Sequence, residues 1–138
     1  MVQKEAADRL CADVGTRAAG AVTVAIRYYA EAEQLFFVSK GSFLPAPKVD
    51  SEVIRLTLRK DGTSLSPEDA DRFFKMVQAG FSQRRKTIMN SFSAALGMNK
   101  ADLGELLDSL DIPRTARIEQ LTMDQLLDVY YAIPHPFN

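Results

Sequence analysis

Two hydrophobic periods divide this chain. Over its first part apolar residues come in short runs and alternations, interleaved with helical spacing; over its second part they recur at helical spacing almost throughout. Gln3 to Val14 reads as a helix with Ala7, Leu10, Cys11 and Val14 on one face. Ala21 to Tyr29 reads as another, with the apolar Val22, Ala25, Ile26 and Tyr29 on one face. Leu35-Phe36-Phe37-Val38 is a continuous apolar run, the signature of a short strand covered on both faces. From Val49 the chain passes into Ile54, Leu56 and Leu58 alternating with Arg55, Thr57 and Arg59, a strand with one wetter face. Between these strands, Pro45 and Pro47 exclude ladder hydrogen bonds and predict an extended loop over Gly41 to Pro47.

The turn-rich Asp61-Gly62-Thr63-Ser64 marks a junction, after which the pattern is helical. Ser66-Pro67-Glu68-Asp69 supplies a cap, a first-turn proline and early acids for a helix buried through Phe73, Phe74, Val77 and Phe81. A second helix carries Ile88, Phe92 and Leu96 and ends near Gly97. Asn99 caps a third, with Leu103, Leu106, Leu107 and Leu110, which Asp111-Ile112-Pro113 ends. Thr122-Met123-Asp124-Gln125 is a capping box for a fourth, buried through Met123, Leu126, Leu127 and Tyr130. Together these predict a small α+β segment over residues 1–61 followed by a helical domain over 62–138.

Composition changes this picture little. The chain has 138 residues, of which 46% are hydrophobic and 25% charged, an ordinary globular balance. Its net charge of −1 argues against attraction of nucleic acid by the whole surface, so any polyanion contact is a local patch. The lone Cys11 has no second cysteine to bond and is expected to be a buried structural thiol. One Cys and one His leave no metal site, and His135 stands in a Pro-flanked tail far from Asp50-Ser51, which excludes a serine-hydrolase reading. No run approaches the roughly 18 apolar residues of a membrane span, and the opening residues are no signal peptide. A cytoplasmic location, with no membrane partner, is the expectation.

Two features carry candidate chemistry. Phe43 stands on the Pro-containing loop, where a phenylalanine is more often a core plug but is also able to stack on a base turned out of its helix. Gln83-Arg84-Arg85-Lys86 sets three consecutive cations in a stretch read as helical. On a helix these residues fan through roughly 300°, so two or three at most act on one phosphate strand. The alternative is a solvated helix end, or arginines tied to carboxylates such as Glu105 or Asp108. Tyr28 and Tyr29 are expected to pack rather than to stack on bases.

The combination of Gln3-Lys4-Glu5, Arg9-Leu10, Phe43-Leu44-Pro45-Ala46-Pro47-Lys48-Val49-Asp50-Ser51 and Gln83-Arg84-Arg85-Lys86-Thr87 resembles the small-subunit ribosomal RNA adenine dimethyltransferases. Macrolide-resistance rRNA methyltransferases share the proline loop, but the Gln-Arg-Arg-Lys-Thr stretch favours the small-subunit enzymes. Ala19 departs from the tyrosine common before Gly20. The resemblance implies the last strands of a Rossmann-like methyltransferase sheet, with Met1 to Gln3 and Leu35 to Val38 flanking a central Val49 to Leu58, then a helical RNA-docking domain. It implies that Phe43 borders the target adenine and that Lys48, Gln83, Arg84, Arg85 and Lys86 contact RNA. Arg117 and Glu119 match an Arg-x-Glu read as a structural ion pair and capping feature.

It also implies S-adenosylmethionine as the methyl donor of a full-length parent and small-subunit rRNA, or the small ribosomal subunit, as partner. None of the seven glycines forms a Gly-x-Gly loop, and no Asn-Leu-Pro-Tyr motif is present, so no catalytic or cofactor-binding residue is assigned and the chain alone is expected not to methylate. The open sheet edge is expected to be covered by the missing amino-terminal domain or by a second copy. The alternatives are a stand-alone RNA- or ribosome-binding module and a helical protein-interaction domain.

Overall fold

The computed structural model describes residues 1–59 and 65–133; the junction read at Asp61 to Ser64, and His135, lie outside them. The chain divides into two compact units, Met1–Asp13 with Ala18–Thr63, and Val14–Arg17 with Ser64–Asn138.

The first unit is built on a three-stranded antiparallel sheet of order β1-β3-β2, with β1 Val2–Gln3, β2 Ala30–Val38 and β3 Ser51–Leu58. The last strand is therefore central, the order that the resemblance implies. Helices α1 (Lys4–Leu10) and α2 (Ala21–Tyr29) complete the unit. Ala30, Ala32 and Gln34 pair with Leu58, Leu56 and Ile54 and share a face with Glu52. That face meets α1, since Gln34 Nε2 donates to Asp8 Oδ1 at 2.8 Å and Lys4 Nζ lies 3.9 Å from the buried Glu52 Oε2.

Four expectations are corrected here. The first helix stops at Leu10, well short of Val14, because Arg27 caps its end: Nη2 donates to the Cys11 carbonyl at 2.7 Å and Nε to that of Ala12 at 3.2 Å. The same contacts turn α2, which buries Thr23, Val24 and Tyr28 and leaves Val22 and Tyr29 exposed. Thr23 reinforces this by donating its hydroxyl to the Arg9 carbonyl at 2.6 Å while accepting from Gly20 N at 2.9 Å. Polar anchors with fixed partners decide the face, and the apolar residues opposite stay outside. Third, Leu35-Phe36-Phe37 is not covered on both faces: Phe36 is 58% and Phe37 53% exposed. A bulge between Gln34 and Phe36 interrupts the alternation, after which Phe36 pairs with Val53 and Phe37 with Glu52 on opposite faces of the sheet. Cys11 is half-buried rather than buried, and burial pushes its thiol above the ordinary range.

The second unit follows its caps. Ser66 Oγ accepts from Asp69 N at 3.2 Å at the start of α3 (Pro67–Ser82), Asn99 Oδ1 from Asp102 N at 2.7 Å at the start of α5 (Lys100–Ser109). Thr122 and Gln125 exchange bonds of 2.9 and 3.2 Å as a capping box for α6 (Met123–Ala132). Helix α4 (Ile88–Leu96) differs: no side chain caps it, and Ile88 N instead donates to the Ala116 carbonyl at 2.9 Å. It ends at Gly97, in the left-handed conformation, and Asp111 adopts φ 58° where the chain leaves α5.

The core of this unit is Phe73, Met76, Phe92, Leu103, Leu107, Leu126 and Tyr130, each contributing about 1.5–3 kcal/mol by burial where it is a large apolar side chain. Helix α3 crosses the 3₁₀ turn Ile118–Gln120 at Gly80, where a methyl group would collide with Ile118 Cδ1 and come within 3.0 Å of Phe92 Cε1. Tyr130 donates its hydroxyl to Asp69 Oδ1 at 2.8 Å; burial first, then this carboxylate, pushes the phenol up to about 12.

Candidate nucleic-acid interface

Gln83-Arg84-Arg85-Lys86 is not helical. Helix α3 ends at Ser82 and α4 begins at Ile88, so the cations form the turn that reverses the chain between two helices packed on each other. Backbone bonds from Gln83 N to the Gly80 carbonyl (3.2 Å) and from Lys86 N to the Gln83 carbonyl (2.9 Å) hold the turn. The helical continuation fails because the Ile88 N–H is taken by Ala116, which starts α4 afresh at extended Thr87.

The turn separates the cations by role. Arg84 is one-third exposed and points inward: its Nη2 donates to the Arg17 carbonyl at 2.9 Å, its Nε lies 4.0 Å from Glu119 Oε2, and its guanidinium sits 5.6 Å from the centre of the Phe81 ring. Glu119 is 13% exposed at its side chain, and its Oε2 is buried with no hydrogen bond among the described residues, so the adjacent guanidinium is the charge that keeps this carboxylate tolerable out of water. Arg85 and Lys86, like Gln83, are exposed, and among the described residues no carboxylate pairs with either cation.

The structural ion pair and capping feature read at Arg117 and Glu119 are thus divided between them, with Arg84 as the cation. Glu119 faces Arg84, while exposed Arg117 opens the 3₁₀ turn with its N–H donating to Gln120 Oε1 at 2.9 Å. Asp108, one of the carboxylates considered for the cluster, is held by Arg114 at 2.6 Å, which keeps its carboxyl below the usual range. Within the same unit, Gly15, Arg17, Arg117, Glu119 and Gln120 line a cleft. Arg17 escapes a reading of sequence because it is a single cation in a short loop.

The proline loop lies in the first unit. A 3₁₀ turn at Lys40–Ser42 leads into Phe43, which is half-buried, and the Leu44-Pro45 peptide bond is cis, with Leu44 fully exposed. The base of the loop is pinned by Asp50, whose Oδ1 accepts from Lys40 N at 2.9 Å and whose carbonyl accepts from Lys4 N at 2.9 Å. Lys48 is exposed and shares a cleft with Gln3, Lys4, Glu5, Lys40, Val49 and Asp50. Three lysines thus converge where the sequence singled out one; Lys40 was legible as a neighbour of the loop, Lys4 only through the β1–β3 pairing that the fold creates. Among the described residues no group of His, Cys, Asp and Glu is placed to hold a metal ion, and no helix is long and apolar enough to cross a membrane.

Comparisons with known proteins converge on one family. The family model described as ribosomal RNA adenine dimethylase matches residues 1–134. The chain is 43% identical over 138 residues to ribosomal RNA small subunit methyltransferase A of Geobacillus sp. (strain WCH70), covering 98% of this chain and 47% of that protein. It is 39% identical over 126 residues to the protein of the same name from Lactococcus lactis, covering 91% and 42%. Among solved structures it is similar to a dimethyladenosine transferase from Plasmodium falciparum, with TM-score 0.75 and 25% identity over 92% of this chain and 53% of that one. It is also similar to the 23S rRNA methyltransferase ErmE, with TM-score 0.64 and 25% identity over 94% and 51%. The chain spans about half the length of the curated relatives it matches. With the family model matching from end to end of the described residues, the chain belongs to the ribosomal RNA adenine dimethylase family.

Proposed function

We propose that this chain is the carboxy-terminal portion of an rRNA adenine N6,N6-dimethyltransferase, in which the first unit is the end of the methyltransferase sheet and the second is an RNA-docking domain. The observation that carries this reading is the family match over residues 1–134. The whole protein transfers methyl groups from S-adenosylmethionine to N6 of adenines in small-subunit rRNA. The residues present do not fit the donor, because the glycines are too widely spaced for a donor-binding loop, and the donor site is assigned to the part of the relatives that this chain does not span.

What this chain contributes is placement of the RNA. Arg85 and Lys86 engage backbone phosphates from the exposed turn, with Gln83 beside them, and Lys48 does so beside the proline loop. Such contacts fix the register of the RNA and carry the salt-dependent share of affinity without reading sequence. Phe43 offers a ring to the target adenine once that base leaves its stack, and holding a base in place converts an encounter into a positioned reaction. The test is binding of small-subunit rRNA across salt concentrations by the wild type and by Arg84→Ala/Arg85→Ala/Lys86→Ala. The triple variant is expected to bind more weakly, with the slope of log affinity against log salt reduced by roughly 0.7–0.9 for each phosphate it no longer engages. An unchanged slope in a folded variant identifies the turn as a solvated surface and overturns the docking role.

A further inference from the structure

The three cations of the turn are adjacent in sequence but unequal in space. Arg84 spends its donors inside the protein, on the Arg17 carbonyl at 2.9 Å and beside the buried oxygen of Glu119 at 4.0 Å, and its flat guanidinium lies near the Phe81 ring. A guanidinium so engaged has little left to offer a phosphate. Arg17, by contrast, is exposed, and no carboxylate pairs with it among the described residues. It belongs to Val14–Arg17, the short segment that groups with the helical unit although its neighbours on both sides group with the sheet. The bond from Arg84 is made to the backbone of Arg17 itself, so it fixes where that residue's side chain leaves the surface, within one arginine's reach of the turn. Arg17 also lines the cleft that contains Glu119 and exposed Arg117.

We infer that Arg84 is a positioning residue, and that Arg17, held by it, supplies the phosphate contact that continues the basic surface begun by Arg85 and Lys86. The ligand is a phosphodiester backbone, recognised by charge. This inference rests on the RNA-docking reading above but makes a different demand: a cation distant in sequence is part of the surface, and the central cation of the motif acts through it.

Lysine at position 84 separates the roles. It keeps the positive charge, so a direct phosphate contact survives, but a single ammonium cannot reproduce the fork that spans a carbonyl and a carboxylate. RNA binding across salt is measured for the wild type, Arg17→Gln, Arg84→Lys, Arg17→Gln/Arg84→Lys and Arg85→Ala/Lys86→Ala. Arg17→Gln is expected to lower the slope by the share of roughly one phosphate, 0.7–0.9, and Arg84→Lys to lower it equally despite its retained charge. The double variant falls no further, because both changes release the same phosphate. Arg17→Gln changes an exposed side chain, so its result stands even where Arg84→Lys lowers the melting temperature. An unchanged slope for Arg17→Gln overturns the inference, as does a double variant whose slope falls by the sum of the two single changes. If Arg85→Ala/Lys86→Ala lowers the slope while Arg17→Gln does not, the docking reading stands and only this inference falls. If none of the variants alters it, both fall.

Discussion

Single residues show most clearly where sequence reasoning stops. Arg84, Arg85 and Lys86 look alike in the sequence, and what distinguishes them is a carbonyl 67 positions away and a carboxylate 35 positions on. No local pattern announces such partners, because they depend on which turns the fold brings together. The caps at Ser66, Asn99 and Thr122 were legible for the opposite reason: their partners stand three residues away. Phe43 lies between these cases. Its loop is readable from the prolines, but its half-buried ring satisfies neither a full core plug nor an open platform. Phe43→Leu in a full-length parent discriminates the two, since leucine keeps much of the apolar packing and loses the π-face. Stacking worth about 1–3 kcal/mol predicts a single-turnover methylation rate lower by roughly five- to a hundredfold, with a melting temperature close to that of the parent. A normal rate with a lowered melting temperature would instead make Phe43 a packing residue.

At the level of elements, apolar periodicity locates the helices and misjudges what they face. Helix α4 buries Ile88, Phe92 and Leu96 and α5 buries Leu103 and Leu107 as spacing selects, with Leu106 and Leu110 half-buried, whereas α2 is turned by Thr23 and Arg27, polar residues that a hydrophobic pattern ignores. The basic turn reads as helix because its residues are good helix formers, and intrinsic propensity is overridden by the Ala116 carbonyl, which restarts the chain at Ile88. Close approach of elements is equally hidden. Gly80 is an ordinary residue inside a helical pattern, yet it is the point where α3 meets Ile118. Gly80→Ala should therefore destabilise the protein by about 1–3 kcal/mol, although alanine is the better helix former. A urea midpoint equal to or above that of the wild type would show that Ile118 yields at no cost.

For the whole molecule, the strand order β1-β3-β2 agrees with the family resemblance, while Phe36 and Phe37, which point to opposite faces of the sheet, both stay exposed among the described residues. A chain spanning about half of its relatives, and lacking a closely spaced glycine pair, is expected to give no heat of S-adenosylmethionine binding in calorimetry and no methyl transfer to rRNA; micromolar donor binding would refute this. The interleaved make-up of the two units has a further consequence for how relatives can be recombined. Because Val14–Arg17 belongs with the helical unit while the residues before and after it belong with the sheet, one crossover near residue 64 does not transfer that unit intact. A chimera made that way seats Arg84 against a foreign loop whose length and turn it was not fitted to. Chimeras that carry residues 14–17 along with the helices keep the contact between Arg84 and the Arg17 carbonyl as one inheritable piece.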